Sequence, residues 1–157
     1  MDIKAILLDF DGTTLQRDQV FISVRNMYAI RKALDKGIYI VPSTGRAENM
    51  QPPQIEAEKR IRYYITSGGA RVVDHSTGEI IHEEILTPED SGGMCRVFEG
   101  RNIYTEIAAG GKIYLEKAVA DHLEQYPVPS HHVWFIEAGR QIVIDKPSRY
   151  FSENGIG

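Results

Sequence analysis

Residues 5–15 read AILLDFDGTTL: four apolar residues, an acid, a phenylalanine, a second acid, a glycine, two threonines and a leucine. Two readings fit. One is a strand running into an ordinary Asp-Gly turn; the other brings Asp9 and Asp11 together at a reaction site. Residues 3–10 are short, Ile/Leu-rich and nearly unbroken, the pattern of a strand covered on both faces in a parallel sheet. Ser23 then caps a helix with Val24, Met27, Ile30 and Leu34 at helical spacing, and Gly37 follows its last turn. Residues 38–41 make a second buried strand, ending in Pro42-Ser43-Thr44-Gly45-Arg46. A weaker helix interrupted by Pro52-Pro53 leads to a third strand over 62–66. Strand, helix, strand, helix, strand predicts a parallel α/β sheet.

At Ser67-Gly68-Gly69 the texture changes. Residues 71–74 and 79–86 flank His75-Ser76-Thr77-Gly78, a hairpin signal, and 102–109 and 112–115 flank Gly110-Gly111, a second one. A helix is expected through 116–126, stopped by Pro127 and Pro129, and a third hairpin pairs 133–137 with 141–145 around Gly139. The chain therefore reads as α/β first and α+β with antiparallel strands after about residue 67.

The totals narrow the function classes. The 157 residues are 42% hydrophobic and 25% charged, enough apolar material for a core. Net charge −4 with scattered basic residues excludes a large nucleic-acid footprint. No window approaches the ~20 apolar residues of a membrane span, and the apolar run of MDIKAILLDF is too short and strand-like for a signal peptide. Cys95 is the only cysteine, so no internal disulfide is possible and the cytoplasm is the expected compartment.

In a strand, residues i and i+2 face the same way, so Asp9 and Asp11 are expected to present both carboxyl groups to one point above the sheet. That carboxyl edge is where open parallel sheets bind ligands. Two close like charges call for a divalent cation, and Mg²⁺ accepts one or two carboxylates with water and phosphate oxygens. Gly12 lets the backbone approach an anion. At the neighbouring strand end, the Thr44 hydroxyl and the amides after it, beginning with Gly45, form a phosphate cradle; helix capping is the alternative role. A nucleophilic carboxylate, a second carboxylate for proton transfer, a metal and phosphate donors suit phosphoryl transfer.

The order Asp9-Phe10-Asp11-Gly12-Thr13 after a buried strand, followed by Ser43-Thr44-Gly45-Arg46 at the next strand end, resembles the haloacid dehalogenase (HAD) phosphohydrolases. The Thr-Gly-Arg ending and Tyr64-Ile65-Thr66-Ser67-Gly68-Gly69-Ala70 resemble the Cof-type sugar-phosphate phosphatases. The resemblance implies a Rossmann-like parallel core over 1–67, an inserted α+β cap of antiparallel strands over 68–145, and a return segment to the core over 146–157. It implies Mg²⁺-dependent hydrolysis of a small phosphorylated, sugar phosphate-like metabolite through an aspartyl-phosphate. Asp9 matches the nucleophile and Asp11 the general acid/base, with the metal on the Asp9 carboxylate and the Asp11 backbone carbonyl. Thr44 matches the hydroxyl that holds the phosphoryl group.

The family also uses a lysine after the cap and an acidic Gly-Asp-x-x-x-Asp strand end. No such acidic run occurs in the sequence, and Lys146 is the only lysine in 146–157. The expectation is a chain that stops where the second half of the core begins, with 152–157 as a helix entry. The first strand would then be an apolar edge, predicting a homo-oligomer through that strand or the exposed core face. Arg46, Lys146, Ser67, Gly68 and Glu137 are candidate substrate or charge contacts. His131-His132, His75, His82 and His122 lack ligand spacing, Cys95 reads as an inert thiol, and Trp134-Phe135 as cap core. Beside the phosphatase stand two alternatives: a non-catalytic module that binds metal or phosphate or assembles with a partner, and a phosphomutase.

Overall fold

The backbone leaves residue 8 before either acid of the opening motif is reached. In the computed structural model, which describes residues 2–156, β1 is Ala5–Leu8 and α1 is Val24–Asp35. β2 (Tyr39–Pro42) runs parallel to β1, with Ala5 opposite Tyr39 and Leu8 opposite Pro42. The chain divides into two compact units, one reaching Glu84 and the other beginning at Ile85.

In the first unit, α1 has both expected ends. The Ser23 hydroxyl accepts the Asn26 amide at 3.1 Å, and Gly37 (φ +73°) closes the last turn with its amide on the Leu34 carbonyl. Its apolar face buries Met27 and Ile30 against Phe10, Ile40, Ile55, Ile61 and Tyr64. Each such side chain contributes about 1.5–3 kcal/mol when fully buried. A 3-10 turn at Glu48–Met50 and α2 (Pro53–Ala57) fill the segment that the prolines weaken.

β3 (Tyr63–Thr66) continues the parallel arrangement through a single bridge from Ser43 to Ile65. It then forms an antiparallel meander with β4 (Arg71–Asp74) and β5 (Glu79–Glu83), in which the β4–β5 hairpin is the predicted one and the β3–β4 pairing is not. Arg71 ties the meander to the 3-10 turn by bonding both Glu48 and Glu83. Among the described residues β1 pairs with β2 alone, and Leu7 is 63% exposed.

The second unit follows the sequence less closely. α3 (Pro88–Phe98) falls in the Gly-rich segment around Cys95, for which the sequence predicts no element. Thr87 caps it by accepting the Asp90 amide at 3.1 Å, Pro88 opens its first turn, and Glu89 and Asp90 suit the positive end of the dipole. Gly92 lets a neighbour approach: a Cβ there would stand 2.4 Å from Ser152 Oγ and 3.1 Å from the Ser148 carbonyl oxygen. Both serines lie in α6 (Pro147–Asn154), which the left-handed Gly155 terminates, so residues 152–154 end a helix rather than begin one.

β6 (Glu106–Ala109) and β7 (Lys112–Glu116) make the predicted hairpin, with Gly110 and Gly111 both at positive φ. The helix expected over 116–126 is divided into α4 (Lys117–Ala120) and a 3-10 turn (Leu123–Gln125) by the non-helical His122. The third hairpin is absent. Residues 130–137 form α5 (Ser130–Glu137), and β8 (Ile142–Ile144) pairs with β7 in parallel. An apolar run of this length fits either a strand or a buried helix; Pro129 favours a helix start, and a parallel partner needs a crossover rather than a tight turn. Phe135 is fully buried on α5. Phe151, Tyr114, Ile144, Ala109 and Cys95 form the unit's own core. The fold class is the expected one, α/β with a parallel pair of strands and a separate antiparallel sheet, β3 to β5; the sheet of β6 to β8 is mixed, where antiparallel strands alone were expected. No helix among the described residues is long and apolar enough to cross a membrane.

Candidate active site

Phe10 is fully buried and anchors the loop that leaves β1. Its carbonyl oxygen receives the amides of Thr13, Thr14 and Leu15 at 3.1, 3.0 and 3.1 Å. That wrap requires Gly12 at φ +73°, a conformation open to glycine at little cost. The buried Thr14 donates its hydroxyl to the Asp9 carbonyl at 2.6 Å, and Asn26 of α1 donates to the Thr14 carbonyl at 3.1 Å. The loop is fastened by its own turn and by α1.

Asp9 remains exposed, with the Thr13 hydroxyl donating to Oδ2 at 2.8 Å. Strand alternation does not carry over to Asp11, because the turn begins at that residue. The Asp11 carboxylate has a different partner. Arg46 donates Nε to Oδ2 at 2.8 Å and Nη2 to Oδ1 at 2.6 Å, a bidentate pair. The same guanidinium donates Nη2 to the Gln19 carbonyl at 2.6 Å and Nη1 to the Met50 carbonyl at 3.2 Å. Arg46, a candidate for contact with substrate or charge, has its guanidinium on the Asp11 carboxylate.

Thr44 sits where β2 ends, beside the loop after β1, because Ser43 still donates its amide to the Leu8 carbonyl at 2.9 Å. It is buried, and its hydroxyl accepts the Arg46 amide at 3.2 Å, a two-residue turn contact and not a helix cap, since the next helical turn begins at Glu48 behind Ala47. That hydroxyl keeps its own proton to donate. Backbone bonds from Ser67 to Arg46 and from Gly68 to Thr44 (3.0 and 3.1 Å) lock the loop after β3 onto this segment. Ser67 itself adopts φ +51°, an uncommon position for a side-chain-bearing residue. Gly45 lies exposed between the two fastened residues.

The remaining candidates lie in the second unit. Lys146 is exposed at the start of α6, and Glu137 is exposed at the end of α5. His131 and His132 meet edge to face on α5, with ring centroids 4.4 Å apart. His132 Nδ1 lies 2.8 Å from Glu106 Oε1, which also receives Tyr104 and Gln141. Burial pushes the Cys95 thiol up from its ordinary range, as suits an inert core residue. Among the described residues no cluster of three or more His, Cys, Asp or Glu has the arrangement of a metal site.

The molecule compares with known proteins along most of its length. A family model described as haloacid dehalogenase-like hydrolase matches residues 6–147. The 5-amino-6-(5-phospho-D-ribitylamino)uracil phosphatase YcsE of Bacillus subtilis is 40% identical over 86 residues, 55% of this chain and 34% of that protein. Phosphatase YwpJ of the same organism is 30% identical over 112 residues, 71% of this chain and 39% of its own. Among solved structures, a haloacid dehalogenase-like hydrolase from B. subtilis superposes with a TM-score of 0.68 at 24% identity, covering 95% of this chain and 56% of that one. A sugar phosphatase of HAD subclass IIB gives 0.66 at 19%, covering 98% and 56%. The chain thus matches about a third of these curated relatives and about half of the solved chains.

Proposed function

The chain belongs to the haloacid dehalogenase-like hydrolases, and we propose that it serves the hydrolysis of a phosphomonoester on a small, sugar phosphate-like metabolite. The observation that carries the reading is the strand-end pair: an exposed Asp9 carboxylate on a fastened loop, with Thr44 at the adjoining strand end. Asp9 attacks phosphorus and forms an aspartyl-phosphate, while Asp11 gives a proton to the departing alcohol oxygen. Asp11 then takes a proton from the water that attacks phosphorus and frees Asp9. The Thr44 hydroxyl donates to a phosphoryl oxygen, and the flexible glycines Gly12 and Gly45 admit close approach of the backbone.

Mg²⁺ fits the donors present, the Asp9 carboxylate and the Asp11 backbone carbonyl, because it binds through one or two protein oxygens and completes its shell with water and phosphate. When bound, it neutralises charge that builds on the phosphoryl oxygens. The Asp11 carboxylate is already matched by Arg46, so the site does not set two unpaired anions side by side. Two of the relatives, a ribitylaminouracil phosphate phosphatase and a sugar phosphatase, support a phosphorylated polyol or sugar as the substrate class. In the same reading the part of the chain after β3 supplies the cap.

A second reading has one observation in its favour. Among the described residues β1 pairs with β2 alone and leaves Leu7 63% exposed, which suits a module that binds metal or phosphate without turnover and assembles with a partner. The exposed outer edge of β1 is the surface for a second copy in that assembly, and light scattering on the Leu7→Lys variant would show a lower mass than the parent chain. Hydrolysis of p-nitrophenyl phosphate with Mg²⁺, and with Asp9→Asn as control, separates the readings. Activity that survives Asp9→Asn rules out Asp9 as nucleophile. No turnover in the parent chain favours the module.

A further inference from the structure

We propose that Arg46 is a positioning residue for Asp11, holding its carboxylate where the proton transfers require it. This rests on the phosphatase reading above. The burial pattern sets the direction of the argument: the Arg46 side chain is 8% exposed and the Asp11 side chain 46%. The cation is the anchor and the acid is the group presented to solvent. An arginine that recognises substrate keeps donors free for it. Here Nε and both terminal nitrogens already point at protein acceptors, two carboxylate oxygens and the carbonyls of Gln19 and Met50.

Asp11 needs such a hold. It lies outside the strand, next to Gly12, in a turn whose own hydrogen bonds do not involve its side chain. An exposed carboxylate there samples several rotamers, and productive proton transfer requires one placement. The planar fork of a guanidinium fixes both oxygens at once, which an ammonium cannot do. Arg46 is also tied to the phosphate side of the site, because its amide donates to the Thr44 hydroxyl and its carbonyl accepts the Ser67 amide. One residue therefore sets the acid/base group in register with the hydroxyl that receives the phosphoryl oxygens.

The test is a double-mutant cycle on turnover of p-nitrophenyl phosphate and of glycerol phosphate with Mg²⁺. The proteins are the parent chain, Arg46→Gln, Asp11→Asn and the double variant, with Asp9→Asn as the blank. Arg46→Gln should lower kcat roughly 10- to 100-fold with KM within about threefold, a part of what general acid–base catalysis contributes. The loss should be larger on glycerol phosphate, whose leaving group needs the proton more. In the Asp11→Asn background the substitution should add nothing, and Arg46→Lys should restore only part of the rate. Full additivity overturns the inference, and so does a raised KM with kcat unchanged, which makes Arg46 a substrate contact. Activity remaining in Asp9→Asn sinks the reaction itself, a different failure. Where turnover is absent, a crystal structure of Arg46→Gln decides: a displaced Asp11 carboxylate supports the inference, and one that keeps its place overturns it.

Discussion

Two arginine–aspartate pairs in the first unit have opposite polarity. Asp74, at the end of β4, is 2% exposed, and its partner Arg62 stands 46% exposed at the surface. Arg62 donates Nε and Nη2 to Asp74 Oδ2 at 2.7 and 2.5 Å, and Ser76 donates its amide and hydroxyl to Oδ1 at 3.0 and 2.6 Å. Both oxygens are saturated and shielded. The Arg62 bond holds this carboxyl well below the usual carboxylate range, with the Ser76 bonds adding to it against the cost of desolvation. In the other pair the cation is inside and the acid outside. A buried acid with full hydrogen bonding shapes a turn; an exposed acid clamped from within is available for chemistry.

The comparison breaks most visibly in turnover. Asp9→Asn should remove activity altogether, by at least about three orders of magnitude, since the Asp11 carboxylate is engaged by Arg46 and does not replace it as nucleophile. Asp11→Asn should cost roughly 10²- to 10⁴-fold in kcat. Asp74→Asn should leave kcat and KM within about twofold, and a loss comparable to that of Asp11→Asn would erase the distinction drawn here.

Stability sharpens the same contrast. Asp74→Asn should lower the thermal midpoint by about 5 °C near neutral pH, because an amide presents donors to the Ser76 donors. The difference should fade on acidification. A carboxyl held low in the folded state stabilises above its unfolded pKa and loses that contribution as pH falls through the folded value. The smallest effect is expected at Glu58, which the Arg60 bond holds down to about 2, with help from Arg31. Its contribution should be intact above about pH 4.5 and disappear towards pH 2. Glu58→Gln should therefore flatten that part of a stability-against-pH curve while leaving turnover unchanged.

The first unit was legible because its signals are local. Ser23 and Gly37 bracket one helix, and the residues after Leu8 and Pro42 fall at adjoining strand ends by register alone. In the second unit the deciding forces are tertiary. Gly92 looks like a helix breaker until the α6 backbone that needs its missing side chain is in view. Residues 133–137 carry no period that separates a strand from a buried helix. Within the site, Asp9, Asp11 and Thr44 could be nominated from type and spacing. The aim of Arg46 could not, since its acceptors at Asp11 and Gln19 are 35 and 27 residues distant in the chain.

The Phe10 carbonyl has one more consequence, in hydrogen exchange. Three consecutive amides, those of Thr13, Thr14 and Leu15, converge on that oxygen while the ring beneath it is wholly buried. They cannot open one by one, because freeing any of them by a large motion lifts the oxygen from the other two. These amides should exchange with solvent deuterium as a cooperative set, more slowly than their position in an exposed turn suggests, and at a common rate that follows the opening of the core beneath Phe10.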